Sequence, residues 1–210
     1  FNTLFDGRIT RGELIFGKKK LPPGELKHAI AHYDGGIRLI DEHLGRLFDF
    51  EKLKKTKEIS LKEAIGDLPE SVSASEKNRQ NKELKIPNHE HMNGGFSTIY
   101  MSRNRRKDWT DFSFTIQAGG RHAPLHPDST PMKKVDTDKW EFEGKNPKVR
   151  RLSVRECARI QTFPDDFIFY YDNVANGYKM IGNAVPVKFA ETIANQIKKD
   201  IESFLVGKRN

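Results

Sequence analysis

The residues that most restrict how this chain folds lie between Arg151 and Pro186. Ser153 followed three positions later by Glu156 has the spacing of a capping box, in which a serine hydroxyl and a glutamate carboxylate each satisfy a backbone N–H at a helix start. A short basic helix is therefore predicted from Val154, carrying Arg155, Cys157, Ala158 and Arg159, and Pro164 forbids its continuation. Further on, Gly182-Asn183-Ala184-Val185-Pro186 runs directly into Val187-Lys188-Phe189-Ala190. Proline is tolerated at a first helical position, so the Gly182-Asn183 backbone is expected just before a helix N-terminus, where a ligand can be held. From Val187 to Leu205, the residues Ala190, Ile193, Ala194, Ile197, Ile201 and Phe204 recur at helical spacing, and their apolar face must pack on something.

These stretches resemble the ninth and tenth conserved motifs of the DNA cytosine-5 methyltransferases. There, Arg-x-Leu-Thr-x-Arg-Glu-x-Ala-Arg-x-Gln-x-Phe-Pro is followed by Gly-Asn-x-Val-Pro, and this chain departs only at Ser153, where threonine is usual. Both motifs stand in the family's order within roughly 35 residues. The resemblance implies that Asn183, Ala184 and Val185 line one wall of a pocket for S-adenosylmethionine. It also implies that Arg155, Glu156, Arg159 and Gln161 are the structural residues of the helical motif.

Composition agrees without being able to find that answer. Thirty-seven Lys and Arg against 29 Asp and Glu leave a net charge of +8, which favours an anionic partner through counterion release from phosphates. The one cysteine, Cys157, excludes an internal disulfide and a cysteine-based zinc site, and fits a reducing cytoplasm. No apolar run approaches membrane-spanning length, and the first 12 residues lack the layout of a signal peptide. His89, His91, His122 and His126 come without a cysteine set or a helical frame, so no metal site is expected. Asp165-Asp166 reads as a turn after the helix rather than a catalytic pair.

Taken in order, Leu14–Phe16 reads as a strand and Glu25–Tyr33 as a helix. Ser60 with Glu63 is a second capping box, opening a short helix that Pro69 stops. Residues 70–90 are polar and read as a mobile loop. Residues 97–102 and 112–117 are rich in strand-forming residues, and two neighbouring strands are predicted. Extended alternation then places Arg103 and Arg105 on one face, and Gly119-Gly120 lets Arg121 approach a partner surface. A guanidinium fork pairs bidentately with guanine O6 and N7, the commonest specific protein–DNA contact. Residues 133–150 form a charged connection with Trp140 and Phe142 packed beneath it, and 167–171 a short buried strand or turn.

This central block resembles the recognition domain of bacterial methyltransferases that act on GGCC. The likeness rests on Ser-Thr-Ile-x-Met-Ser-Arg-Asn-Arg, then Thr-x-Gln-Ala-x-Gly-Arg and Leu-His-Pro. It implies that Arg103, Arg105 and Arg121 approach the bases and that Ile99 lies near the gap left by the extruded cytosine. Gln117 and His122 are supporting residues. In that family a Pro-Cys thiolate adds to C6 of the ring, and Cys157 is flanked instead by Glu156 and Ala158.

The expected fold is therefore α+β: a small strand-rich recognition lobe over 47–150, the motif region with its terminal helix over 151–205, an unassigned segment over 1–46 and a tail over 206–210. The terminal helix would pack on a Rossmann-like cofactor lobe supplied by another chain. The expected function is that of the target-recognition subunit or the C-terminal part of a DNA cytosine-5 methyltransferase of a restriction–modification system, either one subunit of a split enzyme or a truncated product, its partners being double-stranded DNA and a catalytic subunit carrying the nucleophile. The alternative is a non-catalytic DNA-binding or regulatory protein built from the same lobe.

Overall fold

Both capping boxes close. In the computed structural model, which describes residues 58–82 and 84–207, Ser60 Oγ accepts from Glu63 N and Glu63 Oε2 accepts from Ser60 N, opening helix α1 (Leu61–Ile65). Ser153 and Glu156 repeat the pattern at helix α2 (Val154–Ile160), with Ser153 N donating to Glu156 Oε2 at 2.6 Å. The strand expected at Leu14–Phe16 and the helix expected at Glu25–Tyr33 lie outside the described residues.

Contacts divide the chain into two units. The one described almost throughout is Thr56–Asn195; of the other, only Gln196–Gly207, the end of the terminal helix, falls among the described residues. Within the first unit, strand β1 (Val72–Ser73) pairs in parallel with β2 (Glu90–His91), and β3 (Met132–Asp136) forms an antiparallel hairpin with β4 (Lys139–Phe142). Helix α3 (Val174–Asn183) and the terminal helix α4 (Val187–Gly207) complete the regular elements.

The main core joins residues from both sides of position 150. Leu61, Ile65, Ala74, Ile116 and Ala123 pack with Leu152, Val154, Cys157, Ala158, Val174, Tyr178 and Ile181. Each large aliphatic side chain so buried contributes ~1.5–3 kcal/mol. A second cluster of Tyr100, Leu125 and Met132 is covered by Phe96, Met101, Trp140, Phe142 and Val149, so Trp140 and Phe142 do pack inward, from a hairpin rather than an irregular connection.

Five stretches depart from expectation. Residues 97–102 are not a strand. Ser97 Oγ captures the N–H of Tyr100, Ser97 O accepts from Met101 N, and the chain folds into a 3₁₀ turn at Tyr100–Ser102. Residues 112–117 carry no ladder either. The carbonyls just before them, Trp109 O and Asp111 O, accept instead from Lys62 N and Leu61 N, so the segment satisfies the free amides of α1.

The end of the 70–90 segment is held rather than loose. Asn88, His89 and Glu90 are buried, and Asn88 exchanges two hydrogen bonds with the Phe169 backbone, at 2.8 and 2.9 Å. Residues 167–171 form no strand: Phe169 and Tyr171 are buried while Phe167, Ile168 and Tyr170 are exposed.

Helix α3, finally, covers a stretch read as pre-helical loop. Its glycines conceal it in the sequence, yet packing requires them. A Cβ on Gly182 would lie 2.4 Å from Gln117 C and Ala118 N, and one on Gly177 would strike the Tyr171 ring at 2.6 Å.

Candidate nucleic-acid interface

Helix α2 is the hub. Arg155 is fully buried and donates to Pro87 O, Pro164 O and Phe167 O, while its amide donates to Asn88 O. One side chain thus ties two loops, the one at Pro87 and the turn from Pro164 to Phe167, to the helix. Glu156 accepts from both Nη atoms of Arg150 at 2.9 Å. Burial pushes its carboxyl pKa up, but the bonds and charge of Arg150 and the Ser153 N–H outweigh this and hold it below the usual glutamate value. Arg159 bridges Asp165 and Asp67, and its hydrogen bonds lower the pKa of both carboxyls. Asp165-Asp166 is indeed a turn, with Asp165 committed to Arg159. Gln161 contributes its backbone: Gln161 O accepts from Val187 N, and Thr162 Oγ1 accepts from Lys188 N.

That last pair corrects the reading of the Gly182–Pro186 stretch. Gly182 and Asn183 form the last turn of α3, and Pro186 is the N-cap of α4, its carbonyl accepting from Ala190 N. The first amides of α4 are already taken by the end of α2, so the two motifs are docked on each other rather than leaving a bare helix N-terminus. Beside this junction lies an open cleft of about 930 Å³ lined by Gln161, Thr162, Phe163, Gly182, Ala184 and Pro186 from one side and by 59–61, 63–64 and 113–116 from the other. Ala184 faces it; Asn183 and Val185 lie exposed next to it.

Of the residues expected at DNA, Ile99, Arg103, Gln117 and Arg121 are exposed, all on loops or 3₁₀ turns. Ile99 is 66% exposed. Arg105 is set apart. It is only 7% exposed, and its Nε and Nη2 donate to Tyr100 O and Ile99 O, so it does not share a face with Arg103. The loop carrying Gln117 and Arg121 rests on α3, with Gly182 against Gln117–Ala118 and Gly120 against Met92 and Tyr178. His122 is half-buried in the same turn.

Sequence reasoning missed Arg150, Arg151 and Tyr178, which hold this scaffold. Tyr178 donates to Leu152 O at 2.6 Å, and Arg151 to Gly94 O and Gly95 O. Arg150 and Arg151 stand three and two residues before the capping Ser153, and only their closeness to that helix offered a signal.

Cys157 is fully buried in α2, and burial, with the Glu156 charge, pushes its thiol pKa well above the ordinary value. Among the described residues, no group of three or more His, Cys, Asp and Glu side chains is placed to hold a metal ion, and no helix is long and apolar enough to cross a membrane.

The family described as C-5 cytosine-specific DNA methylase matches this chain over residues 39–199. The type II methyltransferase M.MthTI of Methanothermobacter thermautotrophicus is 61% identical over 166 residues, which cover 78% of this chain and 50% of that relative. M.FnuDI of Fusobacterium nucleatum is 48% identical over 144 residues, covering 67% and 42%. M.NgoPII of Neisseria gonorrhoeae is 48% identical over 146 residues, covering 69% and 42%. The chain thus spans about half the length of the curated relatives it matches.

Proposed function

The chain belongs to the C-5 cytosine-specific DNA methylase family, and from that membership we propose that it is the DNA-recognition half of a type II cytosine-5 methyltransferase in a restriction–modification system. It reads a GGCC-like site and completes the methyl-donor pocket of a catalytic half that carries the Pro-Cys nucleophile. The observation that carries this reading is the state of the one cysteine. A thiolate that adds to C6 of an extruded cytosine must be ionisable and reachable. Cys157 is neither, being sealed in the core with its pKa raised, so the nucleophile comes from the complementary part.

The chain's own work is recognition and positioning. Arg103 and Arg121 are exposed and offer guanidinium forks to guanine edges, with Gln117 beside them and Ile99 projecting to fill the space that the flipped base vacates. Asn183, Ala184 and Val185 supply one wall of the cofactor pocket. The fit is physical: Ala184 lines an open cleft, and an amide and an apolar side chain stand exposed at its edge. S-adenosylmethionine, when bound, supplies the electrophilic methyl group.

Discrimination tests the assignment. In the assembled enzyme, Arg103→Ala or Arg121→Ala loses roughly 1–3 kcal/mol of preference at a guanine, whereas Lys107→Ala weakens all duplexes alike and lowers the salt slope. Anisotropy titrations on GGCC and scrambled duplexes read both quantities. Equal losses on all sequences for all three variants contradict the base-reading role.

A further inference from the structure

The chain leaving β1 enters a turn whose backbone most side chains avoid. Lys77 and Asn78 are both left-handed, at φ 59 and φ 56. Asparagine tolerates that conformation, but a lysine side chain brings no local bond to offset it, so the surroundings must hold it there. They do so from two sides. Asn173 Nδ2 donates to Lys77 O at 3.1 Å and Gln80 N to Asp172 O at 2.9 Å. Opposite them, Asn78 Oδ1 accepts from Asn93 N at 2.6 Å, and Asn93 Nδ2 donates to Ala74 O. Ser75 Oγ closes the turn on itself, donating to Arg79 O at 2.7 Å.

These anchors set the turn beside the reading residues. Asn173 is the N-cap of α3, the helix beneath the loop of Gln117 and Arg121. Met92, next to Asn93, lies against Gly120, where a Cβ would stand 2.6 Å from its Sδ, and Arg121 follows Gly120 directly.

What the turn presents outward is positive charge. Over residues 76–85 four cations stand against two carboxylates, and Lys77, Arg79, Lys82 and Lys85 are all exposed. Among the described residues none of the four is in an ion pair. A charge run on a loose loop is a solvated face; this one is fixed by side chains of other segments. A duplex carries one negative charge per ~1.7 Å of its axis, so phosphates continue past a short recognition site on both sides.

We propose that this turn is an anchor for the DNA backbone, in which Lys77, Arg79 and Lys82 contact phosphates outside the recognition sequence, on the Arg121 side of the site. This rests on the recognition role proposed above and deepens it. Such contacts carry no base information; they set affinity and register.

The experiment uses the full chain assembled with the catalytic half of the Methanothermobacter relative, and GGCC duplexes in which single phosphates, inside or outside the site, are neutralised as methylphosphonates. Wild type loses affinity roughly threefold or more at one or two phosphates outside GGCC. The combined variant Lys77→Asn, Arg79→Gln and Lys82→Gln keeps the left-handed turn. It binds GGCC and scrambled duplexes about tenfold more weakly alike, lowers the salt slope by about two to three, and is indifferent to those same methylphosphonates while remaining sensitive to those inside the site. Asn78→Ala, which keeps every charge and removes the bond to Asn93, gives a smaller loss at the same phosphates. A combined variant with wild-type sensitivity at every flanking phosphate overturns the anchor. So does a loss of affinity that involves no flanking phosphate, the signature of a general field, and so does a loss confined to GGCC, the signature of base contact. A wild-type assembly that binds both duplexes equally counts against the recognition role instead, and the methylphosphonate scan still decides the anchor.

Discussion

Glu156 shows how much of this fold hangs on single side chains. It closes the capping box of α2, takes both arms of Arg150, and stands 3.7 Å from Nε2 of the buried His126. Glu156→Ala leaves Arg150 without its carboxylate and costs about 3–5 kcal/mol. Acid acts on the same group. Its folded pKa is depressed from 4.5, so its contribution is present above that value and is lost as pH falls through the folded value.

His126 adds an earlier limb. Burial lowers its pKa from 6.5, opposed by Glu156 and Asp128 and reinforced by Arg150, and its Nδ1 accepts from the Asp128 amide. The folded state therefore resists protonation, and stability present above 6.5 declines as pH falls below it; His91, likewise lowered by burial, contributes to the same limb. Urea midpoints between pH 8 and pH 4 should show both limbs, and His126→Asn should flatten the upper one while sparing the lower. An unaltered upper limb removes His126 from the account. At this scale the sequence was legible where partners are local: Ser153 and Glu156 announce each other at a fixed spacing. Arg105 was misplaced because alternation gives its face only if a strand exists, and none does.

At the scale of elements, Gly182 carries the clearest expectation. Alanine there would place a Cβ 2.4 Å from the Gln117–Ala118 backbone, which cannot swing away as a flexible side-chain tip can. Gly182→Ala should destabilise by about 1–3 kcal/mol through overpacking. By displacing the loop of Gln117 and Arg121, it should also weaken GGCC binding more than binding to unrelated duplex. A melting temperature and discrimination equal to wild type contradict the packing assignment.

The same close approach explains why α3 escaped the sequence reading. Gly177 and Gly182 lower helix propensity within ten residues, while the benefit they bring, contact with Tyr171 and with residues 117–118, is tertiary and invisible locally. Conversely, 97–102 and 112–117 have strand composition, but a serine side chain claims the Tyr100 amide in the first, and the chain entering the second is bound at Trp109 O and Asp111 O to the free amides of α1. Helices α1, α2 and α4 were legible because caps and apolar spacing are written into each segment.

Across the whole molecule, the proposed division of labour rests on what is sealed and what is open. Cys157 is closed off, whereas the reading residues, the Ala184 cleft and the apolar Val187, Ile197, Ile201 and Leu205 of α4 are exposed. The central claim is that this chain reads DNA and completes a donor pocket while the nucleophile is supplied elsewhere. It is tested most directly by incubating the chain with tritiated S-adenosylmethionine and GGCC duplex containing 5-fluorocytosine, with and without the catalytic half of the Methanothermobacter relative, and mapping the trapped covalent adduct. The account predicts no label or adduct with the chain alone, and, in the mixture, an adduct on the catalytic half that depends on this chain. Label transfer by the chain alone, or an adduct at Cys157, would contradict it.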